Sequence, residues 1–133
     1  MSQTILVVDD FAGVRLYHMS FLTRKGYHCI GACNGEEALA RLRDHHVDLV
    51  LLDMAMPGMD GNAFLVQLSA SPALATLPVL VITTEEPLAQ DSSSGGTRRT
   101  IMLSKPVVPG ALLQRVQELL PPSQSVPLPE GGV

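Results

Sequence analysis

Four short apolar runs punctuate the chain: Ile5-Leu6-Val7-Val8, Leu49-Val50-Leu51-Leu52, Val79-Leu80-Val81-Ile82 and Ile101-Met102-Leu103. Continuous apolar stretches of this length, bounded by polar residues and turn formers, read as strands buried on both faces. The first covers residues 4–8 and the second residues 48–53. Residues 27–32 make a less apolar strand, expected at a sheet edge. Between the strands the period changes. Val14, Tyr17, His18, Phe21 and Leu22 recur at helical spacing, so residues 12–25 are predicted to form a helix that buries this face. Lys25-Gly26 ends it, with Gly26 suited to a left-handed cap. Asn34 is a good N-cap, and Glu36 and Glu37 suit the positive end of the next helix, whose buried stripe is Ala38, Leu39 and Leu42. A third helix is predicted from about Asn62 to Ala70, burying Phe64, Leu65 and Leu68, with Pro72 and Pro78 bracketing the loop that follows. Pro109 fits the first turn of the last helix, which carries Leu112, Leu113, Val116, Leu119 and Leu120 and stops at Pro121-Pro122.

Strands alternating with helices call for right-handed crossovers and a parallel sheet, an α/β fold. One segment breaks the alternation. Residues 85–97 occupy the slot of a fourth helix but offer only Leu88 and Ala89 as an apolar stripe, and they contain Ser92-Ser93-Ser94-Gly95-Gly96. A short or frayed helix is expected there. Arg98-Arg99 read as a solvated basic turn. Residues 1–120 are taken as one domain, and 121–133, rich in Pro, Ser and Gly, as a disordered tail.

Composition narrows the function classes. The chain has 133 residues, 46% of them hydrophobic, which is enough for one core. A net charge of -4 gives no basic face for nucleic acid. No apolar run is long enough to span a bilayer, and the N-terminal run is too short for a signal peptide, so a cytoplasmic protein is expected. Cys29 and Cys33, four residues apart along one extended segment, are too distant to pair and are read as free thiols. His45-His46 is assigned to the surface, with no set of partners at ligand spacing.

The chemistry sits at the strand ends. Asp9-Asp10 follow the first apolar run, Asp53 ends the second, Thr83 ends the third, and Lys105 follows the fourth. In open α/β sheets the carboxyl ends of the strands carry the ligand site. Three acids brought together there repel one another and need a cation or raised pKa values. A hard divalent ion satisfies them, Mg2+ taking one or two carboxylates, several waters and a phosphate oxygen. Lys105 adds a fixed positive charge and Thr83 a hydroxyl donor. A carboxylate so surrounded can act as a nucleophile toward phosphorus.

This ordered set, over roughly residues 4–120, resembles the receiver domain of bacterial response regulators, specifically a CheY-like single-domain receiver of two-component phosphorelay signalling. The resemblance implies a flavodoxin-like doubly wound sheet of five parallel strands in the order 2-1-3-4-5 with helices on both faces. It implies that Asp53 is the phosphoacceptor and a phosphohistidine on a sensor histidine kinase, or a phosphotransfer protein, the donor. Asp10, Asp53 and the backbone carbonyl of Ala55 would bind Mg2+, with Asp9 acting chiefly through water. Lys105 would pair with the phosphoryl group across a cis Lys105-Pro106 bond. Output would pass through phosphorylation-dependent binding of a downstream protein, with no output domain of its own. Such a protein is a phosphoacceptor rather than a conventional enzyme. A small phosphohydrolase would need a substrate pocket and cap for which the chain has no spare length.

The sequence also departs from the family. Met102 stands three residues before the lysine, where receivers carry Tyr or Phe, the aromatic that turns inward when the switch hydroxyl, here Thr83, closes on the phosphoryl group. Met specifies one rotamer poorly. Thr84 replaces the usual Ala or Gly. These departures support an alternative, a constitutive protein-binding module that keeps the pocket without switching.

Overall fold

The computed structural model describes residues 3–53, 61–83 and 99–120. Its elements are β1 (Thr4–Val8), α1 (Ala12–Arg24), β2 (His28–Ala32), α2 (Gly35–Asp44), β3 (Leu49–Asp53), α3 (Gly61–Ala70), β4 (Val79–Thr83), β5 (Thr100–Ser104) and α4 (Pro109–Leu119). The strands form one parallel sheet in the order β2-β1-β3-β4-β5, the doubly wound arrangement expected. The expected short helix between β4 and β5, and the expected disordered tail, lie outside the described residues.

Strand side chains alternate between faces, and each face buries its own core. Leu6, Val8, Val50, Leu52, Val79 and Val81 pack with Ala38 and Leu42 of α2 and Phe64 and Leu68 of α3. Ile5, Val7, Leu49, Leu51, Leu80 and Ile82 pack with Leu22 of α1 and Leu112, Val116 and Leu119 of α4. β3 and β4 are buried along their whole length, and β2 and β5 take the edges.

Local signals set the boundaries. Asn34 accepts the Glu37 amide through its side chain, and Glu37 returns a bond to the Cys33 amide, a reciprocal cap that starts α2. Gly26, at φ 102°, turns the chain out of α1. Two expectations are corrected. Tyr17 does not join the buried face of α1: it is 50% exposed, while His18 and Leu22 of the same expected face are buried. Arg99 is exposed but not only solvated, since its guanidinium also donates to the Glu118 carbonyl at 2.8 Å and ties the start of β5 to the end of α4; Arg98 lies outside the described residues. Cys29 and Cys33 are free, as expected. No helix among the described residues is long and apolar enough to cross a membrane.

Candidate functional site

Sheet register delivers the acids to one place. Val8 lies beside Leu52, so the next residue on each strand, Asp9 and Asp53, emerges at the same level of the sheet. Both are buried, at 4% and 5% exposure, while Asp10 stands exposed one residue further on. Carboxylate oxygens of Asp9, Asp10 and Asp53 all lie within 4.8 Å of one another. The Lys105 ammonium is 3.4 Å from Asp53 Oδ2. Its backbone is fixed as well: the Lys105 amide donates to the Thr83 carbonyl at 2.8 Å, and the Lys105-Pro106 peptide is cis. Thr83 is buried at the end of β4, one strand from Asp53. Met102, on β5, is half-buried and packs against the core on the α2 and α3 side. Of the residues singled out in the sequence, Asp9, Asp10, Asp53, Thr83 and Lys105 therefore stand at one end of the sheet. Ala55 and Thr84 lie outside the described residues.

Asp9 is the most constrained acid. Its amide donates to the Ala32 carbonyl at 3.0 Å, its Oδ1 accepts from the Phe11 amide at 3.0 Å, and its carbonyl accepts from Arg15 Nη1 at 2.7 Å. Burial raises its pKa above the ordinary carboxylate value. The Phe11 amide opposes that shift, as does Lys105, while Asp53 and Asp10 reinforce it.

Two residues near the site carry no motif in the sequence. His18, taken there as one more position on an apolar face, is 4% exposed, and its pKa is lowered by burial and then by the charge of Lys105, against the opposing charge of Asp53. The only clue was a polar ring at a buried helical position. Arg15 gave still less warning, being a basic residue in the second turn of a helix.

The donor set suits a hard divalent cation. Three carboxylates supply oxygen ligands only, and no His or Cys joins them in a ligand cluster among the described residues. Their mutual repulsion, with one ammonium to set against it, is what a divalent charge relieves.

The comparisons with known proteins agree with this geometry. Transcriptional regulatory protein ResD of Bacillus subtilis is 36% identical over 118 residues, covering 87% of this chain and 47% of its own length. The chain spans about half the length of that relative, and 45% and 48% of two other curated regulators that it matches. Chemotaxis protein CheY of Bacillus subtilis is 28% identical over 121 residues and is covered over 99% of its length, with 90% of this chain aligned. The high-resolution structure of chemotaxis response regulator CheY4 of Vibrio cholerae superposes with a TM-score of 0.81 at 29% identity, over 90% of this chain and all of that one. The profile of the Response regulator receiver domain matches residues 5–117. Because that match runs from the first strand into the last helix, the chain belongs to the family of response regulator receiver domains.

Proposed function

We propose that this chain takes a phosphoryl group on Asp53 from a phosphohistidine of a sensor histidine kinase or phosphotransfer protein, and that the modified form binds a downstream protein in the cytoplasm. The observation that carries the reading is a buried carboxylate with two further acids within 4.8 Å and an ammonium at 3.4 Å. An Asp53 oxygen attacks phosphorus, the P–N bond to the donor imidazole breaks, and that imidazole leaves with the bonding pair and takes up a proton. Asp10, Asp53 and the Ala55 carbonyl would hold Mg2+, with Asp9 contributing through water. Bound there, Mg2+ neutralises charge on the transferring group. Lys105 shifts its ion pair from the Asp53 carboxylate to the phosphoryl oxygens, and the Thr83 hydroxyl donates to one of them.

Incubation with acetyl phosphate and Mg2+ should add the mass of one phosphoryl group, absent in Asp53→Ala. No gain in the wild-type protein with any small donor or kinase would refute the proposal.

A second reading, a binding module that does not switch, draws on one feature: Met102 stands at the family's aromatic switch position and is already packed against the core. Under that reading beryllofluoride leaves partner affinity unchanged. A large change in affinity excludes it.

A further inference from the structure

Arg15 makes a contact that helix formation does not require. It lies in the second turn of α1, yet its side chain turns back across the sheet end to donate to the Asp9 carbonyl at 2.7 Å. Its stem runs directly over β2 at Gly31. A Cβ on Gly31 would stand 3.4 Å from Arg15 Cδ, 3.5 Å from Arg15 Nε and 3.0 Å from Met19 Sδ. A Cβ at residue 31 would thus touch the Arg15 stem and press on the Met19 sulfur, and a branched side chain reaching further would crowd the path the stem takes. The neighbouring residue on the strand, Ala32, accepts the Asp9 amide. Gly31 and Ala32 therefore work as a pair, one admitting the arginine and the other holding the same aspartate from its amide side.

We infer that Arg15 is a positioning residue for the acidic turn, and that Gly31 is the notch through which it reaches that turn. With its amide on Ala32, its carbonyl on Arg15 and its Oδ1 on the Phe11 amide, Asp9 is fixed on three sides. Asp10, exposed and with no bond of its own among those described, takes its direction from the peptide that Arg15 holds. A cation ligand must be held near its productive geometry by groups outside the first shell. The inference rests on the proposed function, in which these acids bind Mg2+.

Charge and position predict opposite results, which makes the inference testable. Arg15 is a cation close to a cation site, so removing its charge alone would tighten Mg2+ binding. Removing its hold on the Asp9 carbonyl would loosen it.

The test is calorimetric titration of the whole chain with Mg2+ alone, alongside thermal unfolding in EDTA, for wild type, Arg15→Met, Arg15→Lys and Gly31→Val. Valine suits an edge strand, so the last variant fills the notch without penalising the strand. Arg15→Met, which keeps the stem and loses the donor, should weaken Mg2+ about fivefold, the worth of one net hydrogen bond. Arg15→Lys should recover part of that loss. Gly31→Val should weaken Mg2+ in the same direction while touching none of the three acids.

Unchanged or tighter binding in Arg15→Met overturns the inference, whatever its melting temperature does. If Arg15→Met does not fold, unchanged binding in Gly31→Val overturns it instead. A wild-type protein that binds no Mg2+ refutes the proposed function, a result distinct from either.

Discussion

Replacing Asp10 by Asn should change the sign of its effect on stability when Mg2+ is added. Carboxylate oxygens of Asp9, Asp10 and Asp53 lie within 4.8 Å of one another. Two unit charges at that separation repel by about 0.9 kcal/mol in water and about 3.5 kcal/mol at an effective dielectric of 20. Asp10 is exposed, so the watery end of the range applies, at roughly 1 kcal/mol for each of its two neighbours. Lys105, paired with Asp53 at 3.4 Å, offsets part of this by attracting Asp10 as well. Asp10→Asn, nearly the same shape without the charge, should therefore stabilise the metal-free protein by about 1 kcal/mol, or roughly 4 °C in melting temperature for a domain of this size. Mg2+ at a hundred times its dissociation constant adds about 2.7 kcal/mol to a protein that binds it and nothing to one that does not. If Asp10 is a ligand, the variant then becomes the less stable of the two by about 1–2 kcal/mol. Differential scanning calorimetry in EDTA and again in excess Mg2+ reads both halves. A variant less stable than wild type in EDTA refutes the repulsion argument. An order that fails to invert with Mg2+ refutes the role of Asp10 as a ligand.

Three further outcomes are expected. His18 has a pKa lowered from 6.5, first by burial and then by Lys105, so the unfolded chain binds its proton more readily than the folded one. Stability should fall as pH drops below 6.5, and urea midpoints of His18→Leu, measured from pH 7.5 to 5.5, should lose that part of the slope. Phe64, fully buried between α3 and the sheet, should cost about 3–5 kcal/mol when cut to Ala, read as a drop in urea midpoint at constant m-value. Gly26→Ala meets no atom within 4 Å, so its cost of roughly 1–2 kcal/mol comes from holding a Cβ at φ 102°.

What could be read from the sequence follows a physical divide. Strands buried on both faces need continuous apolar runs, and such runs are visible without a partner: three of the four runs mark the central strands β1, β3 and β4, while the fourth marks β5, which takes an edge and is only half-buried. Helix caps are equally local: Asn34 caps α2 through a bond to a residue three positions away. The edge strand β2 was recognisable by its weaker hydrophobicity. Tertiary contacts were not legible. Tyr17 and His18 are neighbours of similar amphipathic character, and only the packing of α1 on the sheet decides that the histidine goes inside. Arg15 and Arg99 both spend their guanidinium on a distant backbone carbonyl, a choice that depends on where that carbonyl arrives in space. A charged side chain written in a sequence says how far it can reach but not what it will find.

The candidate site, by contrast, could be assembled from strand parity and register. Side chains two residues apart on a strand share a face. Ile5 and Val7 pack on the α1 and α4 side, and so do Leu49 and Leu51, as well as Ile101 and Leu103. Two residues beyond each pair stand Asp9, Asp53 and Lys105. The parity of each apolar run thus points its terminal charge toward the same side, and the pairing of Val8 with Leu52 brings the two acids level. Thr83 follows the other parity, after Val79 and Val81 on the α2 and α3 side, the side on which Met102 also packs. Under the proposed function, a Thr83 hydroxyl drawn toward a phosphoryl group on Asp53 would move across the sheet end, from the Met102 side toward the Lys105 side. The residues proposed to bind charge and those proposed to switch thus lie toward opposite faces of one sheet. A one-residue slip of β4 would flip its side chains, placing Ile82 where Thr83 stands and leaving the acids level but with no hydroxyl at that position.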